Sequence, residues 1–159
     1  MENKMVMLSK KEIKELSTLL KKIDNPYDGL PQPVFEVLCG IIPFVACELA
    51  IVNEKNEVLL AWRQDEWWHG WHFPGGLLRF RESFEERLEK VAWDELGLNL
   101  TSHKFLFVKD CSQSARGHVV SLVFLCHTVM TPKKGKFFKK MPKNIIEGHK
   151  EIWGKIKKV

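Results

Sequence analysis

What the chain lacks narrows its reading first. It has no unbroken apolar run near the roughly 18 residues that a bilayer-crossing helix requires, so no membrane span is expected. The opening stretch, MENKMVMLSKKEIKEL, is charged throughout and has no apolar core of the kind a secretory signal needs. Cys39, Cys47, Cys111 and Cys126 are far apart and form no CxxC pair, which argues against a zinc site. Three of them sit in apolar or strand-like runs, so buried reduced thiols in a cytoplasmic protein are the simplest reading. Internal repeats are absent, and the lysine cluster KKGKFFKK (133–140) is the only biased tract.

What is present points to an ordinary folded domain. The chain has 159 residues, 45% of them hydrophobic, enough to build one real core. Its formal charge is +5, with much of the excess in the last third. The lysine cluster reads either as a nucleic-acid patch or as a solvated loop beside a core strand. Charge runs of this kind are usually solvated, so nucleic acid is not the expected partner. A modest positive field also suits an anionic small molecule.

The pattern divides the chain into 1–29, a helix and linker, and 30–159, the main domain. Leu8, Ile13, Leu16, Leu19, Leu20 and Ile23 recur at near-helical spacing, with Ser9 and Glu12 placed for a capping box. The turn-rich DNPYDGLPQP (24–33) follows as a linker. Two β-rich runs, 44–52 and 57–63, flank NEKN and predict a hairpin, with Glu48 interrupting the first. The aromatic DEWWHGWHFPGG (65–76) reads as a loop. A central helix is predicted over Ser83–Leu96, ended by Gly97. Strands follow at 104–110 and 118–130, then a helix over 142–159 with Pro142 near its first turn. The order implies a mixed α/β fold, a mixed sheet sandwiched between helices, with an extra N-terminal helix.

The central helix carries the chemistry. Asp94 and Glu95 are adjacent near its C-terminal end, where the helix dipole disfavours negative charge. A hard divalent cation such as Mg²⁺ would compensate them with oxygen ligands. The pair Gly75–Gly76 lets backbone approach closely, so a carbonyl could join. On charge alone, a solvated acidic helix explains the same residues.

Spacing adds to this. Gly76, five residues, Glu82, seven residues, then Lys90-Val91-Ala92-Trp93-Asp94-Glu95-Leu96-Gly97-Leu98 resembles the box of the Nudix hydrolase family. Gly76, Glu82, Glu95, Gly97 and Leu98 match it, and Lys90 and Asp94 keep the charge. Val91 departs, standing where the family has glutamate. The resemblance implies cleavage of a nucleoside diphosphate linked to another group, with Mg²⁺ or Mn²⁺. It implies the Gly75 carbonyl, Glu95 and Asp94 as metal ligands, and a pairing of Glu82 with Lys90 that orders the site.

Over about residues 30–130 the chain is similar to the GDP-mannose mannosyl hydrolase branch, which also has an apolar residue at the Val91 position. That branch breaks the sugar C1–oxygen bond. By this resemblance Arg63 stabilises the leaving diphosphate and Glu48 orients the sugar. Arg79 and Arg81 are the arginines nearest Leu77, where the branch has one. The branch takes a base histidine from the loop before its last helix; TPKKGKFF holds none, and no histidine is assigned. The clustered tryptophans, Trp71 among them, could stack a base or simply cover apolar surface.

The expectation is a cytoplasmic Mg²⁺-dependent hydrolase of a nucleotide sugar. Glu82, Arg63 and Glu95 would be its central residues. Attack at phosphorus and a non-catalytic nucleotide-binding module are the alternatives. The branch is dimeric, implying a homodimer in which Leu30–Ile42 could exchange between subunits.

Overall fold

The computed structural model describes residues 8–158. The first seven residues of the charged opening stretch lie outside the described residues. Helix α1 spans Lys10–Leu20, and its capping box is present: the Glu12 N–H donates to Ser9 Oγ, and Glu12 Oε2 accepts from the Ser9 N–H at 2.7 Å. None of its residues is buried. A second helix, α2 over Gln32–Cys39, occupies a stretch for which the sequence reading had no element. Pro33 sits in its first turn, where the missing N–H costs nothing.

Among the described residues, seven strands build two sheets. β1 (Phe44–Ile51), β4 (Gly75–Leu77), β5 (Ser102–Cys111) and β6 (Val119–His127) form one in the order β4-β1-β6-β5. β1 and β6 are parallel, and the other pairings are antiparallel. β2 (Val58–Gln64), β3 (His69–His72) and β7 (Lys136–Phe138) form the second, antiparallel and ordered β3-β2-β7. The NEKN turn is real, with the Asn53 N–H bonded to the Glu57 carbonyl, but the expected hairpin does not extend beyond it. β1 and β2 diverge into different sheets after the single bridge Val52–Val58. Residues 65–76, expected to be loop, contribute β3 and β4.

Both faces of β1 and β2 are covered. Cys47, Leu49, Ile51, Leu59 and Ala61 face one core, under α3 (Phe84–Val91). Ala50, Val58 and Leu60 face the other, where α4 (Glu147–Ile156) packs Ile152, Trp153 and Ile156. Two-sided burial explains the near-continuous apolar runs. It also gives the helix–sheet–helix arrangement read from the sequence. α4 begins five residues later than expected from Pro142. Residues 144–146 instead bond to β3, through Trp71 N–H to the Asn144 carbonyl and Ile146 N–H to the Trp71 carbonyl.

α3 opens on a second capping box, Ser83 with Glu86. It then widens into a π-helical turn over Ala92–Leu96. Gly97 ends it at φ 66°, and its N–H returns to the Trp93 carbonyl. A side chain there would enter a left-handed conformation and meet the Lys133 chain at 2.9 Å. Gly97→Ala should therefore cost about 1–2 kcal/mol, read as a lower midpoint in urea unfolding.

Candidate active site

The sheets and α4 enclose a cleft of about 650 Å³. Glu48, His72, Gly75, Gly76 and His149 line it, as do Arg63, Trp67, Trp68 and Arg116. Glu48 lies on β1, an internal strand between β4 and β6, on the face toward α4. Register sets Gly75 opposite it, and any side chain on Gly75 would collide with the Glu48 carboxylate. Ser121 on β6 donates its hydroxyl to Glu48 Oε1 at 3.2 Å.

Glu95 reaches the same place from the π turn. Its Oε1 accepts the Gly75 N–H at 3.4 Å, and its Oε2 lies 3.3 Å from His72 Nε2. The wide turn separates residues that an α-helix would group. Position 95 stays below Val91, while Asp94 swings out to solvent, where its backbone carbonyl accepts from Lys134. Asp94 is thus not brought to the cleft. Val91 is 4% exposed and packs over Gly76, within the core that includes Leu88 and Leu96.

Burial pushes Glu48 up to about 7, reinforced by the charge of Glu95. Burial likewise pushes Glu95 up to about 7, against the opposing Gly75 N–H and Arg63. Two carboxylates on either side of the Gly75 backbone offer oxygen donors to a hard divalent cation, which would replace their protons. Among the described residues no group of three or more His, Cys, Asp or Glu side chains gathers to hold one, so the pair fits an ion whose remaining ligands come from backbone and substrate oxygens.

His149 falls in the stretch predicted from the sequence as the last helix. It stands in the first turn of α4 and lines the cleft. Its Nδ1 accepts the Phe73 N–H at 3.2 Å, so the proton of the neutral ring is on Nε2. Burial first, then the nearby ring of His72, pushes His149 down to about 3. Burial also pushes His72 down to about 4. Both rings are neutral at ordinary pH.

Three expected residues are placed differently. The partner of Glu82 is Arg87, not Lys90: Arg87 Nε and Nη2 donate to Glu82 Oε2 and Oε1, each at 2.7 Å, and both residues are buried. Lys90 is exposed. The reason is local. Ser83 caps α3, so Glu82 precedes the cap and faces the helix's fourth residue, the two positions that usually meet as a hydrophobic staple. Glu82 also accepts the Arg79 N–H at 2.8 Å, while the Arg79 side chain turns toward Gly29. Trp71 packs edge-on against Trp62 and Phe138, away from the cleft, and Trp67 and Trp68 line it instead.

Arg63 is held by design of the β2–β3 turn. Its Nε donates to Asp65 Oδ2 at 2.5 Å, and Asp65 Oδ1 accepts the N–H groups of Trp67 and Trp68. Its guanidinium stacks 4.3 Å from the Trp68 ring centre.

A two-sheet core flanked by α3 and α4, with a glycine loop and acidic helix meeting at a cleft, defines the class. The chain belongs to the Nudix hydrolase family: the family model for the NUDIX domain matches residues 44–153. The low-salt glycan biosynthesis protein Agl8 of Haloferax volcanii is 34% identical over 79 residues, which are 49% of this chain and 50% of that protein. The chain thus matches about half the length of this curated relative. A MutT NUDIX hydrolase from Burkholderia pseudomallei superposes with a TM-score of 0.61 at 26% identity, covering 69% of this chain and 95% of that one. Two others show the fold alone. A MutT protein from Methanosarcina mazei has TM-score 0.62 at 18% identity, covering 73% of this chain and 94% of that one. A MutT/nudix family protein from Enterococcus faecalis has TM-score 0.57 at 19% identity, covering 95% and 73%.

Two outcomes test this site. Arg87→Met strands a buried carboxylate and should cost about 3–5 kcal/mol in urea unfolding, whereas Lys90→Met should change stability by less than about 0.5 kcal/mol. The second concerns pH. Glu48 is raised from 4.5 to about 7, so the stability it contributes is full below 4.5 and lost as pH rises through about 7. Metal-free Glu48→Gln should therefore melt above metal-free wild type near pH 8, a difference that closes near pH 5.

Proposed function

We propose that this protein is a Mg²⁺-dependent hydrolase of a nucleotide sugar, GDP-mannose-like, releasing nucleoside diphosphate and free sugar. The observation that carries the reading is the apolar packing of Val91. It leaves Glu95 and Glu48 as the carboxylates beside Gly75, with Arg63 lining the same cleft as Glu48. Such a reduced acidic set suits one cation and attack at carbon.

Glu95 and the Gly75 carbonyl would hold the cation, with Glu48 beside them and Mn²⁺ as an alternative ion. Bound there, the ion supplies positive charge to the departing diphosphate. Arg63 adds its own. Asp65 and Trp68 fix its guanidinium, so little reorganisation is needed as charge develops. Glu48 orients the glycosyl group. Because the Nδ1 lone pair of His149 is occupied by Phe73, Glu48 is also the group placed to accept the proton of the attacking water. His149 Nε2–H is then free to donate to substrate oxygen. Glu82, through Arg87, holds the glycine loop against α3 and touches no substrate. A homodimer, with the segment Leu30–Ile42 exchanged between subunits, belongs to the same reading.

The similarity to a MutT hydrolase structure favours a second reading, attack at phosphorus. Hydrolysis of a nucleotide-sugar panel in ¹⁸O-labelled water separates the two. The proposal expects label in the sugar; label in phosphate supports the second reading. Tight binding with no turnover of any compound would indicate a nucleotide-binding module instead. Arg63→Met should lower kcat by about 10²–10³-fold.

A further inference from the structure

A second guanidinium shares the indole of Trp68. Arg116, in the loop between β5 and β6, lies 5.1 Å from the Trp68 ring centre and 5.4 Å from that of Phe35 on α2. It lines the same cleft as Arg63. Its loop is fixed. Gly117 packs directly on the Cys39 backbone at the end of α2, the Gly117 N–H bonds to the Ser114 carbonyl, and the Phe44 N–H bonds to the His118 carbonyl. α2, which the sequence reading missed, is thus the platform that carries Arg116.

The charges around this pair do not balance. Asp65 is taken by Arg63 and by the N–H groups of Trp67 and Trp68. Among the described residues no carboxylate lies within ion-pair distance of Arg116. Burial and the charge of Arg63 both weaken its hold on its proton, and the more distant charge of Asp65 opposes them without an ion pair. Two guanidiniums are therefore held half-buried on one indole, facing a cleft. That arrangement is costly until an anion arrives.

The anion's chemistry follows from the geometry. Each guanidinium presents a planar fork suited to a tetrahedral oxyanion, and two forks in sequence along a cleft suit two linked ones. Arg63 is the inner fork: the β2–β3 register sets it opposite Gly70, one same-face step from Ala61 opposite His72, whereas Arg116 stands against Phe35 of α2. We propose that Arg116 grips the outer phosphate of a diphosphate whose inner phosphate is met by Arg63, with Trp68 as the shared support. This rests on reading the cleft as a nucleoside-diphosphate site and adds a substrate-positioning residue to it.

The test uses inorganic pyrophosphate and inorganic phosphate as probes, by calorimetry with a chelator present, so that neither turnover nor base identity matters. Wild type should bind pyrophosphate at least about tenfold tighter than phosphate, since the second fork adds a charge-assisted contact. Arg116→Met should erase most of that preference. Arg116→Lys should restore it in part, keeping charge but not the fork. With a hydrolysed nucleotide sugar, Arg116→Met should raise KM about tenfold and leave kcat within about threefold, because an outer phosphate is held equally before and during reaction. Melting curves check folding. Should Arg116→Met fail to fold, Arg116→Lys carries the test, and its pyrophosphate affinity must fall. The proposal is overturned if wild type shows no preference for pyrophosphate, or if the variant that folds keeps the wild-type preference. It is also overturned if kcat falls with KM unchanged. Failure to hydrolyse any nucleotide sugar, alongside lost pyrophosphate preference in the variant, would sink the proposed activity and uphold the clamp.

Discussion

The buried fork between Arg87 and Glu82 fixes the geometry of everything near the cleft. Glu82 is held from two sides, by the guanidinium and by the Arg79 N–H, so the loop that follows β4 is tied to the first turns of α3. With that loop held, Gly76 sits against Val91 and Arg87, and β4 keeps its register beside β1. Gly75 then lies between two carboxylates that arrive from different elements, Glu48 from a strand and Glu95 from a π turn. Neither acid would be where it is if the loop could slide. The cost of burying the ion pair is offset by its two-pronged geometry and by the backbone donor.

The cleft is electrically polarised along its length. Around Glu48 it carries acids that burial pushes up and imidazoles that burial pushes down, with the buried Lys109 beside them. Around Trp68 it carries two guanidiniums on one indole. A ligand with an anionic middle and a neutral end matches this gradient. The net charge of +5 acts in the same sense at longer range.

Much of this was legible because it is encoded locally. The capping serine Ser9 and the C-terminal Gly97 each act within a few residues, so α1 and the span of the central helix could be read directly. Apolar runs located β1, β2, β5 and β6. The misplacements share a cause, which is that long-range packing overrode a local rule. A short turn between β-rich runs looked like a hairpin, yet β1 pairs with β6 from far along the chain. Pro142 looked like the first turn of the last helix, but residues 144–146 were taken by β3. Lys90 was one charge-matched partner for Glu82, but the cap at Ser83 rotates Glu82 off the helix and toward Arg87. Arg116 carried no local signal at all, since its neighbours Phe35 and Trp68 are distant in sequence.

Val91 has a consequence for the charge this core tolerates. Its methyl group and the Arg87 guanidinium both border Gly76, and Val91 belongs to an apolar cluster with Cys47, Leu88 and Leu96. A glutamate placed at this position would bring a charge into that cluster and compete with Glu82 for the same guanidinium. Adding a carboxylate to the box here would therefore loosen the tie that holds the glycine loop in place.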